Sequence, residues 1–257
     1  METIRRYDMS KLSDKIHSTA VITDIRNFSE TFKNFQNAES TDFLEFLELY
    51  YNSQSTLADI LSEDYHMSST GDGILAIFMD EKHHRNGYAY ILASHRLLNK
   101  LCDNFVGEHA PAHISFGMGA DSGNVWNIGD NELNTYVGTV INRAARIEAS
   151  TKMMAKTTTA VGNSLYKSLI KEFFPKTHKD MEKYETYDEL LNDNPKAILL
   201  SKHFMLQYVM DMPLRGVQKD APIFRMSDTL VGKDDLFWGM MHKLIDKEKI
   251  ERLKNLI

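Results

Sequence analysis

Asp24 and Asp72 are the first residues whose placement suggests chemistry. Asp24 closes an apolar run, TAVITDI (19–25), just before the charged loop Arg26-Asn27-Phe28-Ser29. Asp72 lies between two glycines in TGDG, with HMSST before it and ILAIF after it. Each has a plain structural explanation, the first as a strand end and the second as the Asp-Gly of a tight hairpin turn. As a pair they say more, because the first strand and the hairpin would be neighbours in one sheet, with both carboxylates at the same edge. Two carboxylates and little else is how proteins hold magnesium when a ligand's phosphates fill the other positions. Asn142 and Arg146 form a second pair, four residues apart on a candidate helix and therefore on one face. An exposed polar face would account for them. So would a role in holding a sugar hydroxyl or ring and a charged phosphoryl oxygen. Arg143 points elsewhere on that helix and is expected to be solvated. His83 and His84, between Lys82 and Arg85, read as a solvated loop rather than metal ligands. Gly117-Met118-Gly119 lacks the third glycine and the strand-to-helix context of a dinucleotide fingerprint.

The elements that must position these residues follow from apolar spacing. Residues 19–25 read as a buried strand. A helix is expected to start at Asp42, with Glu45 three positions on, and to bury Phe43, Phe46, Leu47, Tyr50, Tyr51, Leu57 and Leu61. The two runs around Gly71-Asp72-Gly73 predict a β-hairpin. A second amphipathic helix follows through Tyr88, Ile91, Leu92, His95, Leu98, Cys102 and Phe105. Residues 113–128 read as two strands around a turn, and 139–150 as an alanine- and arginine-rich helix. TTTAVG and NSLYKSLI predict a strand and a helix, 172–204 a polar, lysine-rich insertion, and FMLQYVM and APIFRM two closing strands. One amphipathic helix is expected from Leu236 onward. Strand, helix, hairpin, helix and strand in that order suit a sheet with helices packed against it.

Bulk properties narrow the partners. In 257 residues, 42% are apolar and 26% charged, enough for a substantial core. The 30 basic and 36 acidic residues leave a net charge of −6, and no basic stripe invites a nucleic-acid polymer. A single cysteine, Cys102, excludes an intramolecular disulfide and suits a reducing compartment. The N-terminal METIRRYD lacks a signal-peptide core. No apolar stretch approaches the ~20 residues of a membrane span. A cytoplasmic protein is expected.

Taken in order, these segments resemble the catalytic domain of the class III nucleotidyl cyclases. ITDIRNFS matches the family's opening strand and D-I-x-x-F-[ST] loop with Asp24, Ile25, Phe28 and Ser29. TGDGILAIF matches its hairpin, and GADSGNV (119–125) its G-x-x-[SHT]-G-x-V segment. VGTVINRAARIEAST keeps Gly138, Asn142, Ala144, Ala145, Arg146 and Glu148 of G-x-T-V-N-x-A-A-R-x-E, with Val140 in place of threonine. PLRGVQKDAPIFRM is similar to the closing L-K-G-x-x-x-P-V segment, with Arg215 in the basic position. The match runs from about residue 19 to 227.

The resemblance implies an α+β fold: a ferredoxin-like palm (βαββαβ) with extra C-terminal strands and helices. It also implies a head-to-tail homodimer with composite active sites. The expected division is an N-terminal segment (1–18), a catalytic domain (19–227, with 172–204 inserted) and a helical tail (228–257). By position, Asp24 and Asp72, with Ile25 beside them, would hold two divalent ions, Mg2+ or Mn2+. Backbone amides of Ile25, Arg26, Asn27, Phe28 and Ser29 would hold the terminal phosphates of a nucleoside triphosphate, and Arg215 would contact the substrate. Asn142 and Arg146 would come from the opposite subunit, the first orienting the ribose and the second meeting charge on the α-phosphate. Where adenylate cyclases carry lysine and guanylate cyclases glutamate to read the base, this chain has Ser68; the partner position is Thr135. That difference and the absence of recognisable sensor segments resemble the stand-alone bacterial pyrimidine cyclases of anti-phage defence. Those make cyclic UMP or cyclic CMP for a separate effector protein, and UTP is favoured over CTP here. An adenylate or guanylate cyclase with other base-reading residues, and a degenerate nucleotide-binding module, stay open as alternatives. A diguanylate cyclase is disfavoured because Gly71-Asp72-Gly73-Ile74 is not a G-G-D-E-F loop.

Overall fold

The computed structural model describes residues 15–37, 41–104, 114–128, 135–153, 157–184, 187–193, 201–212 and 221–257. Its centre is β1 (Ile16–Ile25), whose β-branched sequence suits a strand covered on both sides. After it come α1 (Phe28–Asn37), α2 (Asp42–Leu61), the hairpin β2 (Tyr65–Ser69) and β3 (Gly73–Phe78), α3 (His83–Asn104) and β4 (Phe116–Asn127). β5 (Tyr136–Val137), α4 (Thr139–Ser150), β6 (Thr158–Gly162), α5 (Asn163–Phe173), α6 (Pro175–Met181) and α7 (Tyr187–Asp193) follow. β7 (Leu206–Met212) and β8 (Ala221–Met226) complete the sheet, before helices at Asp228–Val231, Asp234–Leu244 and Lys247–Leu256. The strand order is β2-β3-β1-β4-β6-β8-β7, with β5 paired to β4. Its first four strands are all antiparallel and form the expected ferredoxin-like palm. Among the described residues, no helix is long and apolar enough to cross a membrane.

Register separates the two faces of the sheet. Val21, Thr23 and Ile25 point with Ala76, Phe78, Phe116 and Met118 toward α2 and α3, where the main core lies. Ala20, Ile22 and Asp24 point the other way, toward α4, whose Val140 and Ala144 bury Ala20, Ile77 and Val125 in a smaller cluster. α4 therefore covers the face that carries Asp24.

Several elements differ from the sequence expectation, each for a physical reason. Residues 116–127 form one strand of 12 residues rather than two around a turn. The glycines of this strand clear a path for α4. A Cβ on Gly119 would come within 2.2 Å of the Glu148 backbone nitrogen and 2.3 Å of the Ala144 carbonyl. The loop after Asp24 is followed by α1, whose Phe28, Phe32 and Phe35 occur at helical spacing and pack on one another or on Phe43 of α2. His83 and His84 open α3 rather than lying in a solvated loop, and His83 is buried. Arg143 is not simply solvated, because it clamps α4 to β4. Its Nε donates to the fully buried Asp121 at 2.6 Å and its Nη2 to the Ser122 carbonyl at 2.7 Å. The tail is two main helices rather than one, broken at Ile245-Asp246, where the Asp246 carboxylate accepts from the Lys249 amide at 3.0 Å. Phe237, Met241, Leu244, Ile250 and Leu253 from these helices join the main core with α2 and α3.

Candidate active site

Asp24 lies opposite Gly73 on β3 and Gly117 on β4, at one end of the face that α4 covers. Asp72 precedes Gly73 in the hairpin turn, and its carbonyl accepts from the Ile25 amide at 3.0 Å. The chain path thus brings the two predicted carboxylate residues to one sheet edge. Glu148 of α4 joins them from above, since a Cβ on Gly117 would lie 2.3 Å from its Oε1. That oxygen is buried and has no hydrogen-bond partner among the described residues. Lys152 Nζ stands 3.4 Å from Asp24 Oδ2 and 3.9 Å from Glu148 Oε2.

Burial raises the pKa of Asp24, and the charge of Asp72 adds to the effect. Burial, then the charge of Asp24, pushes Glu148 up to about 7. The hard carboxylate oxygens of this cluster suit a divalent cation such as Mg2+ or Mn2+. Among the described residues no group of three or more His, Cys, Asp or Glu makes a self-contained metal site.

The loop beyond β1 divides by hydrogen bonding. Ile25 donates its amide to Asp72 and Arg26 donates its own to the Ser115 carbonyl at 2.9 Å, so neither amide faces a ligand. Arg26 also spends its guanidinium on Thr151, at 2.5 Å to the carbonyl and 2.7 Å to Oγ1. Asn27 adopts φ 58°, a left-handed conformation that asparagine tolerates better than most residues, and so turns the chain into α1. Among the described residues no backbone acceptor takes the amides of Asn27, Phe28 and Ser29, which open that helix. They form the part of the loop able to meet an anion. The Phe28 ring packs among Phe32 and Phe43.

Asn142 and Arg146 lie on the opposite side of α4 from its sheet-facing residues Val140, Ala144, Ile147 and Glu148. Asn142 is exposed, Arg146 is half-buried, and no carboxylate pairs with Arg146 among the described residues. The two therefore point away from Asp24 and Asp72 of the same chain. Ser68 is half-buried on β2 opposite Leu75, on the same sheet face as Asp24. Thr135 precedes β5 and accepts from the Ile128 amide at 2.8 Å. Arg215 lies outside the described residues.

Sequence reading passed over a polar chain at the other end of β1. His17 Nδ1 meets His83 Nε2 at 2.8 Å, His83 Nδ1 meets Thr19 Oγ1 at 2.9 Å, and Thr19 Oγ1 meets Ser122 Oγ at 2.8 Å. Nearby, His84 Nε2 lies 2.5 Å from Glu172, which also pairs with Arg85. Burial lowers the pKa of all three histidines, and that of His83 falls to about 4. A histidine with a lowered folded pKa contributes stability above its unfolded value of about 6.5, and loses it as pH falls toward the folded value. For His83 the loss amounts to at most roughly 3 kcal/mol. We expect His83→Gln to be less stable than the wild type at pH 7, but to lose less stability between pH 6.5 and 4. Thermal melts across that range check this; parallel curves for the two proteins would contradict it.

No family model matches the chain, and no curated protein sequence matches it. Solved structures do. The adenylyl cyclase CyaB from P. aeruginosa superposes with a TM-score of 0.59 at 17% identity, over 84% of this chain and 95% of its own. The catalytic core of a rhodopsin-guanylyl cyclase with converted specificity, in complex with ATPαS, gives 0.56 at 17% identity, over 85% and 100%. A non-canonical dimeric guanylyl cyclase domain of the RhoGC fusion protein from the aquatic fungus Blastocladiella emersonii gives 0.55 at 16%, over 83% and 98%. The chain has the fold of adenylyl and guanylyl cyclase domains.

Proposed function

We propose that the chain is a nucleotide cyclase, closing a nucleoside triphosphate to a 3′,5′-cyclic monophosphate and pyrophosphate in a two-fold homodimer. The observation that carries this reading is the opposed placement of its polar groups on a cyclase fold. Asp24 and Asp72 converge at one sheet edge, while Asn142 and Arg146 face out from α4 toward where a partner would stand. In a head-to-tail pair, each site would join the carboxylates of one subunit to Asn142 and Arg146 of the other. Divalent ions held by Asp24 and Asp72 would lower the cost of forming the 3′-alkoxide and neutralise phosphate charge. The amides of Asn27, Phe28 and Ser29 hold the departing pyrophosphate. Asn142 orients the ribose, and Arg146 meets the charge that grows on the equatorial α-phosphate oxygens. The 3′-oxygen bonds to the α-phosphorus as the bond to the pyrophosphate oxygen breaks, and the hydroxyl proton leaves to solvent.

The base reading rests on Ser68. A serine hydroxyl donates or accepts but reaches less far than the lysine or glutamate of purine cyclases. We infer a pyrimidine triphosphate, UTP ahead of CTP, with a cyclic product acting as a second messenger for a separate effector in anti-phage defence. Incubation with each of the four ribonucleoside triphosphates and Mn2+, with identification of the product, tests the reading. UTP or CTP is expected to exceed ATP and GTP in kcat/KM by roughly ten- to a hundredfold, the usual cost of a misplaced hydrogen bond at a base edge. A higher value for ATP would make this an adenylate cyclase. No cyclic product from any of the four would refute the activity itself.

A further inference from the structure

We propose that the rings of His66 and Tyr136 form the end wall of the base subsite and by their bulk restrict it to a single-ring base. This deepens the cyclase reading and rests on it. Strand register supplies the first half of the case. Ser68 and His66 are two apart on β2, opposite Leu75 and Ile77 of β3, so both side chains stand on the face shared by Ile22 and Asp24. α4 packs over β4 and β1, and Ile22 and Leu75 remain only partly buried. They make an apolar floor beside Ser68.

Tyr136 supplies the second half. It follows Thr135 directly, and β5 is pinned to the end of β4 by the Asn127–Tyr136 pairing and the Ile128-to-Thr135 hydrogen bond of 2.8 Å. From there its ring packs against the small cluster of Ala20, Ile77, Val125, Val140 and Ala144, on whose margin Ile22 and Leu75 also lie, and meets the His66 ring at 4.9 Å between centroids, tilted 48°. Paired rings favour separations of roughly 4.5–7 Å, so a base cannot slide between these two without parting them. The contact therefore closes the passage between the strands that carry Ser68 and Thr135. Two strand residues, roughly 7 Å, separate Ser68 from His66. A six-membered ring and its substituents fit on the Ile22–Leu75 floor within that length, whereas a fused purine runs into the wall.

Calorimetric titration with Mn2+ complexes of α,β-methylene UTP and α,β-methylene ATP reads base size without turnover. The wild type is expected to bind the uridine analogue more tightly. His66→Ala is expected to move the ratio of the two dissociation constants toward the adenine analogue by about tenfold or more, the scale at which an apolar pocket discriminates size. Tyr136→Phe keeps the ring and should keep the ratio. His66 lies on an edge strand and is half-exposed, so its truncation leaves the core intact, which a melting curve verifies. An unchanged ratio in a folded His66→Ala protein, or a wild type that prefers the adenine analogue, overturns the wall. A changed ratio in Tyr136→Phe also overturns it, by showing that the phenol hydroxyl rather than ring bulk reads the base. Failure of every triphosphate analogue to bind overturns the cyclase reading, and the inference with it. Binding with the expected ratios but no cyclic product upholds the wall and refutes only the activity.

Discussion

Asp72→Asn and Asp24→Asn are each expected to lower turnover by roughly 10²- to 10³-fold or more, the scale on which a single charge-stabilising group is lost from an active site. The change removes one charge with almost no change in shape. Asp24 sits at a sheet edge where burial and the charge of Asp72 both disfavour its ionised form. A carboxylate with a raised folded pKa costs stability above its unfolded value, and the cost grows as pH rises through the folded value. Without metal near neutral pH, Asp24→Asn should therefore melt no lower than the wild type. The Lys152–Asp24 ion pair is broken by the same substitution, but the lysine is largely exposed and its attraction weighs little against this. With Mn2+ and a triphosphate, the wild type should gain melting temperature, because a ligand that binds only the folded state stabilises it. Both variants should forgo most of that gain. Near wild-type turnover at saturating Mn2+ in either variant would show that these carboxylates do not hold the metal.

Mixing two inactive proteins should restore activity. An Asp72→Ala homodimer lacks a carboxylate in both of its sites, and an Arg146→Ala homodimer lacks the arginine in both. α4 turns Arg146 away from its own subunit's Asp24 and Asp72, so a mixed dimer should concentrate both lesions in one site and leave the other whole. Random exchange of equal amounts makes half the dimers mixed, each with one of two sites intact. The mixture should then reach about a quarter of wild-type activity, a fraction fixed by two-fold symmetry. Different affinity tags on the two variants verify that mixed dimers form. If they form and the mixture stays inactive, Arg146 acts within its own subunit, and the outward face of α4 has another purpose.

Much of this arrangement was legible in the chain because local rules govern it. The Asp-Gly hairpin, the amphipathic α2 beginning at Asp42, and α4 from Thr139 to Ser150 follow from turn chemistry and apolar period, and all three occur where spacing placed them. Three of the exceptions share one cause: a partner distant in sequence overrides the local signal. Residues 113–128 look like two strands around a turn until α4 lies against them, when Gly119 makes room for its backbone and Gly117 and Gly123 for its side chains. His83 and His84 look solvated beside Lys82 and Arg85. Thr19, His17 and Glu172, 64 to 88 residues away, give them buried or half-buried partners. Arg143 reads as a surface charge until the fully buried Asp121 claims it.

The sequence by itself determined which chemistry is available: two carboxylates at strand and hairpin ends, an asparagine and an arginine on one helical face, and a serine on the strand before the hairpin turn. Those are properties of residue type and short spacing, which the backbone periods of 2 and 3.6 translate directly into faces. Only the tertiary structure decided which groups meet. Antiparallel pairing of β1 with β3 set Asp24 beside Asp72. Close packing of α4 on the glycines of β4 buried Glu148 above them and turned Arg146 outward. Pairing of β5 with β4 carried Tyr136 across the sheet to His66. Each of these meetings joins residues brought together by burying apolar faces rather than by their own attraction, so no local pattern in the chain records it.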